Sequence, residues 1–172
     1  MHQSVTFRQA LTSADACLIA ELARQIWNQH YRGIISRRQI DYMLAHFQSP
    51  AAIDQQIVEG VRYYLINSPG GKAVGYLALA ADRVRGRLQI SKIYVNAGHR
   101  GAGCGWQALR FSEQQALKQG VRTLWLTVNK HNSVAISAYR RWGFETTGAV
   151  VADIGGGFVM DDYVMEKSIP PG

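Results

Sequence analysis

Three glycines at alternate positions form the part of this sequence best suited to bind an anion. They are Gly101, Gly103 and Gly105, within the segment H-R-G-A-G-C-G-W that joins a predicted strand to a predicted helix. Because glycine has no Cβ atom, the backbone N–H groups of such a turn can converge on one ligand. The positive end of the helix and the guanidinium of Arg100 would each favour a pyrophosphate there by about 1 kcal/mol. The pattern predicts a phosphate-binding turn, with a tight turn or a close-packed helix start as the alternative.

Two common phosphate-binding loops do not match this turn. The sequence has no G-x-x-x-x-G-K-(S/T) segment, which is the loop typical of nucleoside triphosphate binding. The glycine turn also lacks the G-x-G-x-x-G spacing, and no clear acidic residue follows on a strand about 20 residues later to hold a ribose. We therefore set both loops aside.

Two segments resemble motifs of the GNAT superfamily of N-acetyltransferases. I-Y-V-N-A-G-H-R-G-A-G-C-G-W-Q-A-L is similar to its acetyl-CoA pyrophosphate motif, (R/Q)-x-x-G-x-(G/A), whose fixed positions hold Arg100, Gly103 and Gly105. V-N-K-H-N-S-V-A-I-S-A-Y-R-R-W-G-F-E is similar to N-x-x-A-(I/V)-x-x-Y-x-x-x-G-F, with these residues in register: Asn132, Ala135, Ile136, Tyr139, Gly143 and Phe144. Because the two matches are independent and lie at the expected distance, the chain is identified as a member of this superfamily. The similarity is sharp over residues 88–148.

The resemblance implies where acetyl-CoA would bind. It implies a V-shaped opening between strands at residues 88–95 and 122–128, which receives the pantetheine arm through strand-like hydrogen bonds to Ile93 and Val95. It places the pyrophosphate on the backbone amides of the glycine turn and the pantetheine beside Asn132. The cofactor contacts expected from it are Ile93, Tyr94, Val95, Arg100, Gly101, Ala102, Gly103, Cys104, Gly105, Trp106, Asn132 and Ala135.

The resemblance also implies a direct transfer of the acetyl group to an amine. The amine attacks the thioester carbonyl, a donor such as the Val95 amide stabilises the oxyanion, and the departing thiolate takes a proton. Tyr139 is the predicted proton donor, because its phenol, with a usual pKa near 10, suits a thiolate leaving group. The alternative is that Tyr139 is an aromatic core residue.

The residue that removes the proton of the amine is not evident from the sequence. Many family members carry a glutamate on the strand before the glycine turn, whereas this strand carries Gln89, Ser91 and Lys92. Possible substitutes, each of which could equally be an ordinary surface group, are Glu145, Asp82, Asp161, Asp162 and His99. No base is therefore assigned from the sequence.

The acceptor pocket is expected between the N-terminal helices and the final strand pair. Its candidate residues are Trp27, Tyr31, Tyr42, Asp161 and Asp162. W-x-x-x-Y-x-G-I-I followed by Q-I-D-Y-M-L also faintly resembles bacterial polyamine acetyltransferases, and the two aspartates could attract a cationic amine. A net charge of +7 does not steer polycations, so amino acids, peptide N-termini, antibiotics and other small amines stay open. Helical spacing alone would make Trp27 and Tyr42 core residues.

The elements that must position these residues follow from the hydrophobic periodicity. A strand at Val5 and Phe7 precedes a helix capped at Thr12 or Ser13, with Leu18, Leu22, Ile26 and Trp27 on its apolar face. Two further helices, a hairpin, a third strand, the glycine turn, a helix, a strand, a short helix and two final strands complete the order. We predict an α+β fold with a mixed, mostly antiparallel sheet of six to seven strands and helices on both faces.

Composition limits the class of protein. The chain has 172 residues, 47% hydrophobic and 18% charged, enough for one core without metals or disulfides, so we expect a single domain over residues 1–172. Its longest apolar run, residues 73–81, is far below the roughly 20 residues of a membrane span. Because the start of the sequence has no apolar leader segment, we expect a soluble, cytoplasmic protein without a membrane partner. Cys17 and Cys104 indicate neither a disulfide framework nor a metal site.

Three functions remain open on this basis. The first is an acetyl-CoA-dependent N-acetyltransferase acting on a small-molecule or peptide amine. The second is a non-catalytic module that binds or senses acyl-CoA, which the missing carboxylate would favour. The third is a toxin that acetylates aminoacyl-tRNA, although the basic residues are dispersed and a nucleic-acid partner is therefore not expected. A homodimer is expected only by analogy with the superfamily.

Overall fold

A computed structural model describes residues 4–171 of the chain, so residues 1–3 and 172 of the predicted domain lie outside the described residues. The described part contains seven β-strands and five α-helices. The strands are β1 Thr6–Gln9, β2 Arg62–Asn67, β3 Ala73–Asp82, β4 Arg87–Val95, β5 Thr123–Asn129, β6 Glu145–Gly155 and β7 Phe158–Ser168. The helices are α1 Ser13–His30, α2 Arg37–Phe47, α3 Pro50–Val58, α4 Cys104–Lys118 and α5 Ser133–Arg141.

All strands pair in one sheet of order β1-β2-β3-β4-β5-β7-β6. Every neighbouring pair is antiparallel except β4 and β5, which run parallel across the crossover helix α4. The predicted α+β fold with a mixed, mostly antiparallel sheet is therefore confirmed, with seven strands.

The two faces of the sheet carry separate helix layers. Side chains alternate between the faces along a strand, so neighbours such as Tyr63 and Tyr64 enter different cores. Helices α1, α2 and α3 pack on the Tyr63 face through Ile26, Ile40 and Ile53, among others. Helices α4 and α5 pack on the opposite face. The expectation of helices on both faces is confirmed.

Helix α1 begins where the sequence predicts but buries a different face. Thr12 is the N-cap, and its side chain accepts from the backbone N–H of Asp15. The predicted position of Leu18 is wrong, because Leu18 is exposed and the neighbouring Ile19 is fully buried. Ile19 lies three residues before Leu22 and seven before Ile26, the spacing of a single helix face.

Strands β4 and β5 separate soon after they meet. Their only registered pairs in the described chain are Leu88 with Leu124 and Gln89 with Trp125. Beyond these pairs β4 continues beside β3 as far as Val95, while β5 continues beside β7 as far as Asn129. The divergence opens a V-shaped gap within the sheet, which α5 and α1 approach from opposite faces.

Strand β4 contains an irregularity at the level of the gap. Its register with β3 passes from Leu79 opposite Ile90 to Ala78 opposite Lys92, so Ser91 has no Cα partner. Such a bulge changes the direction of the side chains that follow it. Lys92 and Tyr94 consequently face α1 and α3, whereas Ile93 faces the core on the other side.

Between residues 4 and 171 no helix combines the length and apolar character that crossing a bilayer requires.

Candidate active site

The glycine turn adopts the geometry expected of an anion-binding loop. Gly103 has a left-handed backbone, with φ of 81°, and is the N-cap of α4 without any side-chain cap. The first backbone N–H groups of α4 are therefore without the side-chain acceptor that usually satisfies a helix N-terminus. A Cβ atom on Gly105 would lie 2.9 Å from the ring of Trp142, so this position requires glycine for close packing.

A groove of about 720 Å³ runs from this turn to the gap between β4 and β5; we call it the glycine-turn groove. All but one of the predicted cofactor-contact residues line it. The exception is Ala102, whose side chain packs into a small core beside Val5 and Ile66. The predicted residues that line the groove are Ile93, Tyr94, Val95, Arg100, Gly101, Gly103, Cys104, Gly105, Trp106, Asn132 and Ala135.

The open edge of β4 presents backbone groups to this groove. The N–H of Asn96 donates to Val74 O on β3, so the alternation along the strand turns the Val95 groups away from β3. The Nε of Arg100 reaches the Val95 carbonyl at 3.0 Å from that side. The Val95 N–H is therefore directed into the gap, where it could stabilise an oxyanion.

A second cavity of about 520 Å³ lies on the other side of the gap, under α1, α2 and α3; we call it the inner cavity. The inner cavity and the glycine-turn groove share six lining residues, so the two spaces meet. The shared residues are His30, Ile93, Tyr94, Asn132, Ala135 and Tyr139. A molecule in the groove and a second molecule in the inner cavity would therefore approach each other beside Tyr139.

Tyr139 reaches this junction from α5. Its ring packs against Trp142 and Phe144, at centroid distances of 5.9 Å and 5.6 Å. Burial raises the pKa of its phenol well above the usual value, so the group keeps its proton. It is consequently a weaker acid than the sequence analysis assumed, but one that is always present in the donor form.

Asn132 and His30 meet at the same junction. Asn132 caps α5 by accepting from the Ala135 N–H, and its Nδ2 lies 3.0 Å from Nε2 of His30. Since Nδ2 can only donate, His30 Nε2 accepts and its proton lies on Nδ1. Burial, followed by the charge of Arg100, lowers the pKa of His30 and keeps the ring neutral. His30 was not among the predicted site residues, because a histidine at the end of a helix carries no signal of a distant partner.

An aromatic wall formed by Trp27, Tyr31 and Tyr94 lines the inner cavity. The Tyr31 and Tyr94 hydroxyls lie 2.7 Å apart, and the ring of Trp27 packs on both. Trp27 Nε1 donates to Tyr76 Oη at 2.9 Å, which anchors the indole in the core. Trp27 and Tyr31 are thus both core residues and part of the cavity wall.

Asp162 on β7 is the carboxylate of the inner cavity. Its side chain is buried, and Oδ1 has no hydrogen-bond partner within the described chain. Burial raises the pKa of Asp162 to about 6, with a smaller contribution from the charge of Asp161, while the Thr127 hydroxyl acts in the opposite direction. A carboxyl group with this pKa can accept a proton near neutral pH.

The structure places two predicted acceptor residues outside the cavity. Tyr42 packs on the turn between β6 and β7, where its hydroxyl donates to Ile154 O at 2.8 Å. Asp161 points away from Asp162, as strand alternation requires, and pairs with Lys130 at 2.6 Å. Tyr42 therefore supports the β6–β7 turn, and Asp161 belongs to a surface ion pair.

The other base candidates also lie away from the inner cavity. Asp82 pairs with Arg87 at the closed end of the β3–β4 hairpin, and Glu145 is exposed at the start of β6. His99 lines the glycine-turn groove. Among the described residues, no three His, Cys, Asp or Glu side chains form a group that could hold a metal ion.

The chain is similar in sequence to known acetyltransferases. The family model described as "Acetyltransferase (GNAT) family" matches residues 21–144. The chain is 33% identical to streptothricin acetyltransferase from Streptomyces lavendulae over 109 residues, which are 63% of this chain and 58% of that protein. It is 26% identical to spermidine N(1)-acetyltransferase from Thermoplasma acidophilum, over 91% of this chain and 93% of that protein. The chain thus spans less than two thirds of the streptothricin enzyme.

Solved structures share the fold over nearly the whole chain. PaiA N-acetyltransferase from Thermoplasma acidophilum, in complex with coenzyme A, matches with a TM-score of 0.79 and 24% identity, covering 96% of this chain and 99% of that one. A GCN5-related N-acetyltransferase from Rhodopseudomonas palustris matches with a TM-score of 0.80 and 20% identity, over 98% and 99% of the two chains. Because the family model matches most of its length, this chain belongs to the GNAT family of acetyltransferases.

Proposed function

We propose that this protein is an acetyl-CoA-dependent N-acetyltransferase that acts on a primary amine of a small molecule. The observation that carries the proposal is the meeting of the glycine-turn groove with the inner cavity at Tyr139. A protein that only bound or sensed acyl-CoA would need the groove but not a second cavity facing the thioester. The inner cavity, whose volume is about 520 Å³, is of the size that holds small molecules.

The groove offers partners for the pyrophosphate and the pantetheine arm of acetyl-CoA. The uncapped N-terminus of α4 and Arg100 would hold the pyrophosphate, and the open edge of β4 would pair with the amide groups of pantetheine. PaiA, which shares the fold, was solved with coenzyme A bound, and this supports the assignment. The thioester would then lie in the gap, near the Val95 N–H and Tyr139.

The chemistry assigned to the junction is a direct transfer. The neutral amine attacks the thioester carbonyl, the Val95 N–H stabilises the oxyanion, and collapse of the intermediate breaks the carbon–sulfur bond. The Tyr139 phenol gives its proton to the departing sulfur. Because burial keeps the pKa of Tyr139 high, the phenolate recovers a proton readily for the next cycle.

Asp162 is the proposed proton acceptor for the amine. Among Glu145, Asp82, Asp161, Asp162 and His99, only Asp162 lines the inner cavity. Its unpartnered Oδ1 can accept a hydrogen bond from an incoming ammonium group and then its proton. A base on β7 would take the place of the glutamate that many family members carry on the strand before the glycine turn.

The size of the inner cavity and the names of the relatives both support a small-molecule amine as the acceptor. The relatives are named for the acetylation of streptothricin, of methionine sulfoximine and methionine sulfone, and of spermidine, all of which are small amines. A small-molecule amine is therefore the proposed partner of this chain. Cytoplasmic location and a homodimer stay predictions.

The proposal is tested by calorimetry with acetyl-CoA and by release of free thiol in the presence of a broad amine panel. We expect binding, and thiol release that depends on at least one amine. Gly105→Ala should weaken binding, because its Cβ would displace Trp142 from the groove wall. Gly98→Ala is the matched control, since a Cβ there would meet no atom closer than 4.0 Å. The absence of binding to acetyl-CoA and coenzyme A would overturn the proposal.

A further inference from the structure

Lys92 places a cation in the wall of the inner cavity. It follows the bulge at Ser91 on β4, and its Nζ lies 5.6 Å from the ring centroid of Tyr63. Lysine is rarely removed from water unless a partner compensates for its charge. The environment of this ammonium group therefore indicates what the cavity is built to hold.

The protein provides Lys92 with neutral partners only. Nζ donates to Gln56 Oε1 at 3.1 Å and to Ser91 Oγ at 3.3 Å. No carboxylate within residues 4–171 forms an ion pair with Lys92. An ammonium group has three N–H donors, so one remains for a ligand. Burial lowers the pKa of Lys92 to about 8.

The neighbouring groups hold Lys92 in place. Gln56 donates through Nε2 to Phe47 O at 2.9 Å, and this fixes its Oε1 toward Lys92. The Tyr63 hydroxyl donates to the same Oε1 at 2.6 Å. The ammonium group is therefore positioned by a hydrogen-bond network and does not lie loosely in the cavity.

The remaining charge of the cavity lies across the gap. Asp162 is on β7, and β5 lies between β7 and β4. His30, the other ionisable group apart from tyrosines, is neutral because burial and Arg100 lower its pKa. The inner cavity thus carries one cation and one carboxylate on separate strands. A polyamine would direct a second positive charge toward Lys92, whereas an amine that carries its own anion would satisfy both groups.

We propose that the acceptor is an amino-acid-like molecule, whose carboxylate binds Lys92 and whose primary amine lies between Asp162 and the thioester. The inference rests on the proposed acetyltransferase function and names its substrate class. Lys92 is then a specificity-determining residue, since it contacts the substrate without contributing to the transfer.

The test compares acids with their own amides. Thiol release is measured with the L-amino acids, with the corresponding amino-acid amides and with spermidine, and kcat/KM is determined for each active pair. We expect kcat/KM of at least one amino acid to exceed that of its amide by about 10-fold or more. This is the factor that a charge-assisted hydrogen bond typically contributes. Lys92→Met should lower this ratio by about 10-fold, mainly by raising KM for the acid. Lys118→Met removes one charge from the exposed end of α4 and should leave the ratio unchanged.

The ratio of acid to amide does not depend on the fraction of active enzyme, so partial misfolding of Lys92→Met cannot imitate the expected result. An unchanged ratio in Lys92→Met overturns the proposal. Turnover of amides or spermidine, with no turnover of any free amino acid, overturns it as well and leaves the acetyltransferase function intact. If none of the amines supports the release of thiol, both the proposed substrate class and the proposed acetyltransferase function are overturned.

Discussion

Tyr139 lies at the junction of the two cavities, and Asp162 lines the inner cavity from the opposite face of the sheet. Tyr139 belongs to the layer of α4 and α5, whereas Asp162 shares its face of β7 with Met160, which packs under α1 to α3. A thioester in the gap would therefore have the proposed proton donor on one side and the proposed proton acceptor on the other. This separation allows each group to act without neutralising the other.

Tyr139→Phe should lower kcat by about 100-fold, which is typical for the loss of a general acid. The affinity for acetyl-CoA should change by less than about 2-fold, because the aromatic ring and its packing are kept. Calorimetry and steady-state rates measure the two quantities. Tyr163→Phe, which removes a phenol outside both cavities, is the control. An unchanged kcat would remove Tyr139 from the role of proton donor.

Asp162→Asn should abolish the acidic inflection in the pH profile of kcat/KM. The base must be ionised, so kcat/KM of the unaltered protein should fall as the pH drops through about 6, the pKa of Asp162. The variant should be slow and should lack this inflection. Asp161→Asn, which alters the adjacent ion-paired carboxylate, should keep the inflection. A profile that is identical in Asp162→Asn and the unaltered protein would contradict the assignment.

Asp162→Asn, although it should slow the reaction, should stabilise the folded protein above the pKa of Asp162. The folded pKa of Asp162 is raised, so the folded state binds more protons than the unfolded state between pH 4 and 6, and stability falls as the pH rises through that range. At pH 8 the variant should be more stable by on the order of 1–3 kcal/mol, and below pH 4 the difference should disappear. Urea denaturation at both pH values measures it. A less stable variant at pH 8 would show that the carboxylate has an unrecognised partner.

At the scale of elements, the start of α1 depends on one carboxylate. Asp15 accepts from Arg8 at 2.8 Å and from the backbone N–H groups of Leu11 and Thr12. These bonds lower the pKa of Asp15 to about 2, and the bond from Arg8 contributes most. Helix α1 also carries Trp27 and ends at His30, and both residues line the inner cavity.

Asp15→Ala should destabilise the protein by about 1–2 kcal/mol at pH 7, a value reduced because the Arg8 side chain is half exposed. Since the folded pKa is lowered, this contribution is complete above pH 4 and is lost as the pH falls toward 2. The difference between variant and unaltered protein should therefore shrink in that range. Thermal unfolding measures it, with Glu21→Ala in the same helix as the control. A constant difference from pH 7 to 2 would contradict this cause.

At the scale of the whole molecule, the closed end of the gap holds the two halves of the sheet together. Arg87 on β4 pairs with Asp82 on β3 at 2.9 Å and with Glu166 on β7. Its guanidinium also lies 4.3 Å from the ring centroid of Trp125 on β5. One largely buried side chain thus connects four strands beside the last pairs between β4 and β5.

Arg87→Met should destabilise the protein, because Asp82 and Glu166 would lose the cation that pairs with both of them. The midpoint of urea unfolding measures the change. Arg122→Met, which removes an exposed arginine just before β5, should change the midpoint little. Equal effects of the two substitutions would show that the closed end is not a structural clamp.

Local sequence determined the helices and strands, and it determined the part of the site formed by the glycine turn and α5. The glycine turn, the cap of α5 at Asn132 and the following tyrosine are set by spacings within one turn or one helix, and the structure has them where the motifs place them. The order of strands and helices also followed from periodicity, because residues that share a face recur at a fixed interval. Errors such as that at Leu18 arose where two neighbouring faces of a helix were similarly apolar.

Only the tertiary structure decided which side chains line the inner cavity. His30, Lys92 and Asp162 come from α1, β4 and β7, and no spacing in the sequence relates them. Their convergence depends on the bulge at Ser91, on the divergence of β4 from β5 and on the register that separates Asp162 from Asp161. A shift of one residue in β4 or β7 would turn Lys92 or Asp162 to the other face of the sheet, and the sequence pattern alone does not exclude such a shift.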